Sequence, residues 1–214
     1  MRNLALALVI ACTACAAPLP MTSRMSDAVL MGTRPSKTPA VAYAYESTVA
    51  DGLLTPVGKD RAPVPAGHPG YVHTESATLD RMVREYLALK FTALDESAPT
   101  KIKVTLKDFW LEQYSPDSGG KQFAAAMFGG EINIIVTAVL ELAIEVRAAD
   151  GTTSTKLIRA AGDNTHVSGF GTGTESSRLY RGKQGIEYVV ADAVNAANNR
   201  ALALLNQFLE ANSI

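Results

Sequence analysis

Residues 132–146 read INIIVTAVLELAIEV and alternate between two kinds of position. Every even-numbered residue in this stretch is apolar, and four of the seven odd-numbered positions are polar or charged: Asn133, Thr137, Glu141 and Glu145. Successive side chains of a β-strand point to opposite faces of the sheet. The pattern therefore predicts a long strand with one face packed in the core and the other largely solvated.

Further strands are predicted on both sides of this stretch. Asp150-Gly151 is a hairpin signal, so we expect a returning strand from about Thr153 to Val167. Upstream, residues 101–107 (KIKVTLK) alternate in the same way. An earlier, shorter alternation at residues 39–46 predicts a first strand.

Two amphipathic helices complete the predicted fold. The first is expected to begin at one of several capping residues near Thr74 and to end near Leu94, and the second spans Ile186 to about Leu209. Their apolar residues recur at helical spacing: Leu79, Met82, Val83, Tyr86 and Leu87 in the first, and Ile186, Val189, Val190, Ala193, Val194, Ala197, Ala201, Leu204, Leu205 and Phe208 in the second. We predict an α+β fold of order β-α-β-β-β-α, in which two helices cover a mostly antiparallel sheet of about four strands.

The chain begins with the features of an export signal. A short basic start precedes the apolar stretch LALALVIA, residues 4–11, and small residues follow. This stretch is too short for a membrane span, which needs about 20 apolar residues. Residues 1–14 are therefore predicted to be a lipoprotein-type signal peptide.

The two cysteines of the chain lie at the exit of this signal. A cysteine behind small residues is typical of a bacterial lipobox, in which the thiol is acylated. Cys12 has the better preceding residues, whereas Cys15 leaves a signal of more usual length, and we favour Cys15. Ordinary cleavage near Ala16, giving a soluble periplasmic protein, is the alternative.

The remaining chain divides into a tether and one domain. Residues 15–38 mix Pro, Ser, Thr and small residues without periodicity, and we predict a flexible tether. Residues 39–214 are predicted to form a single domain, within which the proline- and glycine-rich residues 51–73 form a long irregular loop. Residues 169–185 are rich in glycine and serine and predict a flexible connection.

Composition excludes several classes of protein. Twenty basic and 21 acidic residues give a net charge of −1, so the chain lacks the basic surface of a nucleic-acid-binding protein. Both cysteines precede the domain, which excludes a disulfide scaffold.

The element pattern resembles the YajG-like envelope lipoproteins of Gram-negative bacteria. The similarity covers about residues 75–210 and rests on the aromatic-rich end of one strand (104–114), the long strand and hairpin (133–151) and a closing helix led by ADAVN at 191–195. Residues 115–130 and the proline-rich loop depart from that pattern. This family is uncharacterised, so the resemblance implies an envelope location and an architecture. Similar small periplasmic lipoprotein domains work by contact.

No catalytic or cofactor-binding pattern emerges from the sequence. His68, His73 and His166 are scattered, and the first two, with Glu75 near them, lack a recognised metal-ligand spacing, so we expect exposed loop histidines. The Gly-rich residues 169–173 lack the strand-to-helix turn of a dinucleotide loop. We therefore expect no enzyme activity, no metal and no cofactor.

One segment is a candidate contact surface. Trp110, Phe123, Met127 and Phe128 surround a glycine-flanked connection between two strands, and aromatic residues and Met are enriched at interfaces. The competing interpretation is that the aromatic side chains fold back and close the core.

The sequence thus predicts a lipid-anchored, non-enzymatic contact or assembly module of the cell envelope. We expect the anchor in the outer membrane, facing the periplasm, with the inner membrane as an alternative, and an envelope protein as the partner. The alternative function is a small-ligand or lipid-binding accessory lipoprotein of a transport system. The sequence does not specify an oligomeric state.

Overall fold

The computed structural model describes residues 17–19, 23–64, 70–170 and 185–214. Its strands are β1 (Ala17–Pro18), β2 (Ala40–Ser47), β3 (Gly52–Leu54), β4 (Tyr71–His73), β5 (Ala93–Leu94), β6 (Lys101–Tyr114), β7 (Gly130–Arg147) and β8 (Thr153–Phe170). Its α-helices are α1 (Asp27–Gly32), α2 (Glu75–Lys90), α3 (Gly119–Phe128) and α4 (Ile186–Ala211).

The main sheet has five strands in the order β5-β2-β6-β7-β8. Antiparallel pairing of β6, β7 and β8 agrees with the sequence, but β2 pairs parallel with both β5 and β6. The parallel pairing arises because α2 carries the chain from β2 back to the same end of the sheet before β6 begins. The predicted α+β class is therefore right, whereas about four mostly antiparallel strands and two helices are an incomplete description.

The alternation in β7 has the predicted consequence. Its even-numbered residues from Ile132 to Val146 are buried, except for Ile134, which is partly buried against the core. Strand β8 pairs with β7 residue by residue from Gly130↔Phe170 to Arg147↔Thr153. Gly151 adopts a φ of 88° in the connecting turn, a conformation that residues with a side chain rarely adopt.

Helices α2 and α4 cover the inner face of the sheet with the predicted apolar stripes. Helix α4 lies against β8 at Gly162, where an added Cβ would overlap the Ala197 nitrogen and the Ala193 oxygen of the helix backbone. Only a glycine allows two backbones to pack this closely. Helix α2 ends at Lys90, earlier than predicted, and the short strand β5 follows.

The predicted tether is folded in its described residues. Strand β1 pairs parallel with β4, and both Leu19 and Val29 of α1 are buried. The backbone nitrogens of Arg24 and Ser26 donate to the side-chain oxygens of Asn195 and Asn199 on α4, at 2.9 and 2.6 Å. Composition alone could not show this, because the apolar residues of this segment recur at no regular spacing.

The predicted irregular loop at 51–73 contains part of a second, smaller sheet of order β1-β4-β3. Val57 also forms a parallel bridge with Glu112 of β6. Within that loop, residues 65–69, including His68, lie outside the described part of the chain, and so does most of the glycine-rich segment 169–185.

We expect Leu140→Asp to unfold the domain and Leu157→Asp to be tolerated. Leu140 is fully buried between the sheet and the helices, whereas Leu157 of the neighbouring strand is 67% exposed. An unpaired buried carboxylate costs several kcal/mol, a large share of a total stability of about 5–15 kcal/mol. Thermal unfolding followed by circular dichroism measures both variants, and equal melting temperatures would show that the two faces of the sheet are wrongly assigned.

Candidate contact site

Helix α3 occupies the glycine-flanked connection between β6 and β7, where the sequence predicts no helix. The Ser118 hydroxyl caps it by accepting a hydrogen bond from the Lys121 nitrogen. The Asp117 carboxylate accepts hydrogen bonds from Lys121 Nζ at 2.7 Å and from the Asn133 nitrogen at 2.8 Å. The bond from Lys121, followed by that from Asn133, lowers the pKa of Asp117. These bonds fix the start of the helix to β7.

One side of α3 packs on the sheet and the other is exposed. Ala125 is buried against Gly130, where an added Cβ would lie 3.3 Å from Ala125. Phe123, Met127 and Phe128 are 66%, 60% and 83% exposed. We call these three side chains the α3 face. The structure thus leaves three of the four predicted contact residues exposed on one short helix.

Trp110 lies apart from the α3 face and is buried in β6. Its Nε1 donates a hydrogen bond to Glu112 Oε1 at 3.0 Å. The guanidinium carbons of Arg61 and Arg159 lie 3.6 and 4.9 Å from the centre of the indole ring. Cation–π contacts of this kind stabilise an arrangement in which the guanidinium groups cover the indole ring. In the folded monomer Trp110 is therefore a packing residue and is not available to a partner, which corrects its place among the predicted contact residues.

The turn that covers Trp110 is held by charge. Arg61 forms an ion pair with Asp108 at 2.5 Å. In the turn that carries it, Asp60 and Arg61 both have a positive φ, of 54° and 61°. Because Asp60 and Arg61 both adopt the left-handed region, the chain turns sharply enough to return to the sheet. The sequence signal was weak, since Lys59-Asp60-Arg61 looks like any solvated charge run.

A buried polar cluster lies where α2 begins, and the sequence did not predict it. Glu75 in the first turn of α2 is 0% exposed, and His73 just before it is 3% exposed. Asn198 of α4 faces Glu75, and within the described part of the chain the side-chain polar atoms of Glu75 and Asn198 make no hydrogen bond of good geometry. The expectation of an exposed loop histidine is therefore wrong for His73.

Burial controls the protonation of this cluster. It raises the pKa of Glu75 to about 8, because the charged carboxylate loses its hydration; Asn198 opposes this shift, and Asp51 adds to it. Burial also lowers the pKa of His73, with Asp51 opposing the shift. The His73 ring accepts a 3.4 Å hydrogen bond from the Glu75 nitrogen and packs on Phe109 at 5.3 Å between ring centres. Both side chains are enclosed, so a substrate has no access to them in this conformation.

The remaining predicted site residues are distributed as follows. His166 lies on β8, opposite Ile134. Among residues 17–19, 23–64, 70–170 and 185–214, no group of three or more His, Cys, Asp or Glu side chains is placed to hold a metal ion. Cys12 and Cys15 lie outside these ranges. In the same ranges, no helix has both the length and the apolar character needed to span a bilayer.

We expect Glu75→Gln to remove a pH dependence of stability. The pKa of Glu75 is about 8 in the folded protein and 4.5 when unperturbed, so between these values the folded state keeps a proton that the unfolded state releases. This difference in protonation stabilises the folded state fully below pH 4.5. The stabilisation is lost as the pH rises from 4.5 towards 8, by about 1.4 kcal/mol per pH unit. Gln stays neutral in both states.

Denaturant unfolding at pH 5, 6, 7 and 8 tests this expectation. The stability of the variant relative to the natural protein should increase over that range, and Glu85→Gln, on the exposed side of the same helix, should show no such trend. A constant difference between Glu75→Gln and the natural protein would mean that Glu75 is charged in the folded state.

Comparison with known proteins gives a distant structural likeness. No family model and no curated protein match the chain. Similar solved structures include a Xanthomonas campestris protein of the DUF330 family, rare lipoprotein B from Shewanella oneidensis and a minor lipoprotein from Acinetobacter baumannii. Their identities to this chain are 9%, 16% and 7%, and their TM-scores are 0.46, 0.42 and 0.40.

These likenesses extend over most of each chain. They cover 92%, 81% and 83% of this chain, and 98%, 97% and 95% of the three known chains. Two of the three are described as lipoproteins, the class that the N-terminus predicts for this chain, and none is described as YajG-like. TM-scores below 0.5 assign neither a family nor a function to this chain.

Proposed function

We propose that this protein is a lipid-anchored, non-enzymatic contact module of the cell envelope, held in the outer membrane and facing the periplasm. The N-terminal signal with its two cysteines supports the location. The α3 face supports the mode of action. A protein partner in the envelope is the occupant that this surface fits, since Phe and Met side chains are enriched at protein interfaces.

The exposure of the α3 face is the observation on which the proposal depends. Phe123, Met127 and Phe128 come from a ten-residue helix that the domain holds in place by Asp117 and Ala125. Three large apolar side chains exposed on one ten-residue helix are costly to leave in water, and clustered exposed apolar residues mark interaction sites. A few buried aromatic anchors can supply most of the binding energy of an interface, at about 2 kcal/mol or more each.

A small-ligand or lipid carrier is the second candidate. A groove of about 480 Å³ lies between α1 and α4, and it is lined by Val29, Gly162, Ala196 and Ala203 together with polar residues. Its volume suits a small ligand. The space between the sheet and the helices, however, holds fully buried core side chains such as Leu79, Leu140 and Leu202. Since a lipid carrier would use that space as its cavity, we favour the contact module.

We expect Cys15, or failing that Cys12, to carry the lipid, because both follow the apolar part of the signal. Metabolic labelling with a fatty-acid probe measures this directly. Label should disappear in the Cys12→Ser, Cys15→Ser double variant, and the two single variants identify the acylated residue. Label that persists undiminished in the double variant would show that another residue carries the lipid and would contradict the prediction.

Replacing Phe123, Met127 and Phe128 together with Ser should abolish recovery of the partner and leave the fold intact. Exposed substitutions usually change stability by less than about 0.5 kcal/mol each, so the melting temperature should fall by a few degrees at most. Cross-linking in cells, followed by purification of the acylated protein, measures partner recovery.

The matched control is Met31→Ser, Leu89→Ser, Leu157→Ser, which removes three other exposed apolar side chains. It should retain the partner. Loss of more than several degrees of stability in the α3 variant alone would place its side chains in the core, and unchanged partner recovery with unchanged stability would show that α3 is a passive connection.

A further inference from the structure

The start of the described chain is attached to the domain. Ala17 and Pro18 of β1 pair with Tyr71 and Val72 of β4, and the Leu19 nitrogen donates a 3.0 Å hydrogen bond to the Val72 oxygen. Leu19 is buried in the core. The backbone at residue 17 thus has a fixed place at the edge of the small sheet β1-β4-β3.

This place limits where a lipid on Cys15 can be. Cys15 precedes Ala17 by two residues, and an extended chain spans at most about 3.6 Å per residue. Two extended residues span about 7 Å, so a lipid on Cys15 would keep Ala17, in the edge strand of the small sheet, within about that distance of its attachment point. Acyl chains on this cysteine would keep β1 next to the surface of their bilayer, too close for a folded protein layer between β1 and the membrane.

The small sheet presents apolar side chains on its outer face. Leu53 and Val72 stand opposite each other in the β3–β4 pair, and they are 66% and 44% exposed. The alternate residues of β4, Tyr71 and His73, point inwards and are buried. Gly70 lets the Leu53 side chain lie over the backbone, because an added Cβ would stand 2.7 Å from Leu53 Cδ1.

The small sheet and α3 lie at the same end of the main sheet. The Gln113 nitrogen donates a 2.7 Å hydrogen bond to the Val57 oxygen, and the Tyr71 hydroxyl lies 3.5 Å from Gln113 Oε1. Strand β6 ends one residue later, at Tyr114, and α3 follows. The hairpin at Gly151 lies at the opposite end of the antiparallel strands, six residues before Leu157 in the chain.

We propose that the outer face of the small sheet, formed by Leu53 and Val72, rests on the bilayer in which the N-terminal lipid is inserted, with α3 at the membrane-proximal end of the domain. The inference rests on the lipid anchor of the proposed function. The contact is apolar, and the net charge of −1 gives no attraction to anionic lipid. Docking therefore does not depend on the presence of anionic headgroups.

The test places a fluorescent probe on the acylated full chain at one position at a time. Leu53→Cys, Val72→Cys and the matched control Leu157→Cys are each labelled with an environment-sensitive dye, after the native cysteine that does not carry lipid is replaced by Ser. The control residue is 67% exposed, nearly the same as Leu53. Each protein is inserted into phosphatidylethanolamine vesicles, with and without phosphatidylglycerol, that contain spin-labelled quencher lipids.

We expect lipid quenching at positions 53 and 72 to be severalfold stronger than at 157, with or without phosphatidylglycerol. Equal quenching at all three positions in an acylated protein would overturn the docking proposal and leave the proposed function standing. Shielding of positions 53 and 72 from a water-soluble thiol reagent in cells but not on vesicles would indicate a protein partner for this face instead. Absence of fatty-acid label would overturn both the anchor and the docking.

Discussion

The close approach of α4 to β8 at Gly162 is the constraint on which the rest of the structure depends. Ala193 and Ala197 let the helix backbone lie directly on the sheet, and the larger residues of its stripe then fill the space on either side. With the helix at this distance, its asparagines reach the N-terminal segment and α2. Asn195 and Asn199 hold the N-terminal segment, Asn198 faces Glu75 of α2, and Asn206 accepts hydrogen bonds from Tyr86 and Lys90.

The strong periodicities in the sequence predicted the long elements. In β7 and α4, many apolar residues repeat at one spacing, so tertiary packing and local pattern agree. The short strands β1, β3, β4 and β5 have two or three residues each, too few for any period to show. Their positions follow from pairing with distant partners. The parallel pairing of β2 and β6 is likewise a property of the crossover through α2.

The candidate site was partly predictable for the same reason. The apolar side chains in 119–128 marked this segment as a candidate contact surface. Its helix was not predicted, because Gly119 and Gly120, which disfavour helix, occupy the first turn after the capping residue Ser118. Residue type alone could not separate Trp110 from Phe128, because the first is covered by Arg61 from a turn 49 positions earlier and the second faces water. Glu75 was missed because a carboxylate in the first turn of a helix is ordinarily a surface residue.

The folded start of the chain changes how far this protein reaches. A flexible tether over residues 15–38 would let the domain wander about 27 Å from its attachment point. Pairing of β1 with β4 removes that freedom, because it holds the chain at Ala17–Pro18 against the domain. With the proposed lipid anchor, a domain held in this way would search in two dimensions, by lateral diffusion, and would encounter only molecules that share its membrane or extend into the layer of solvent next to it.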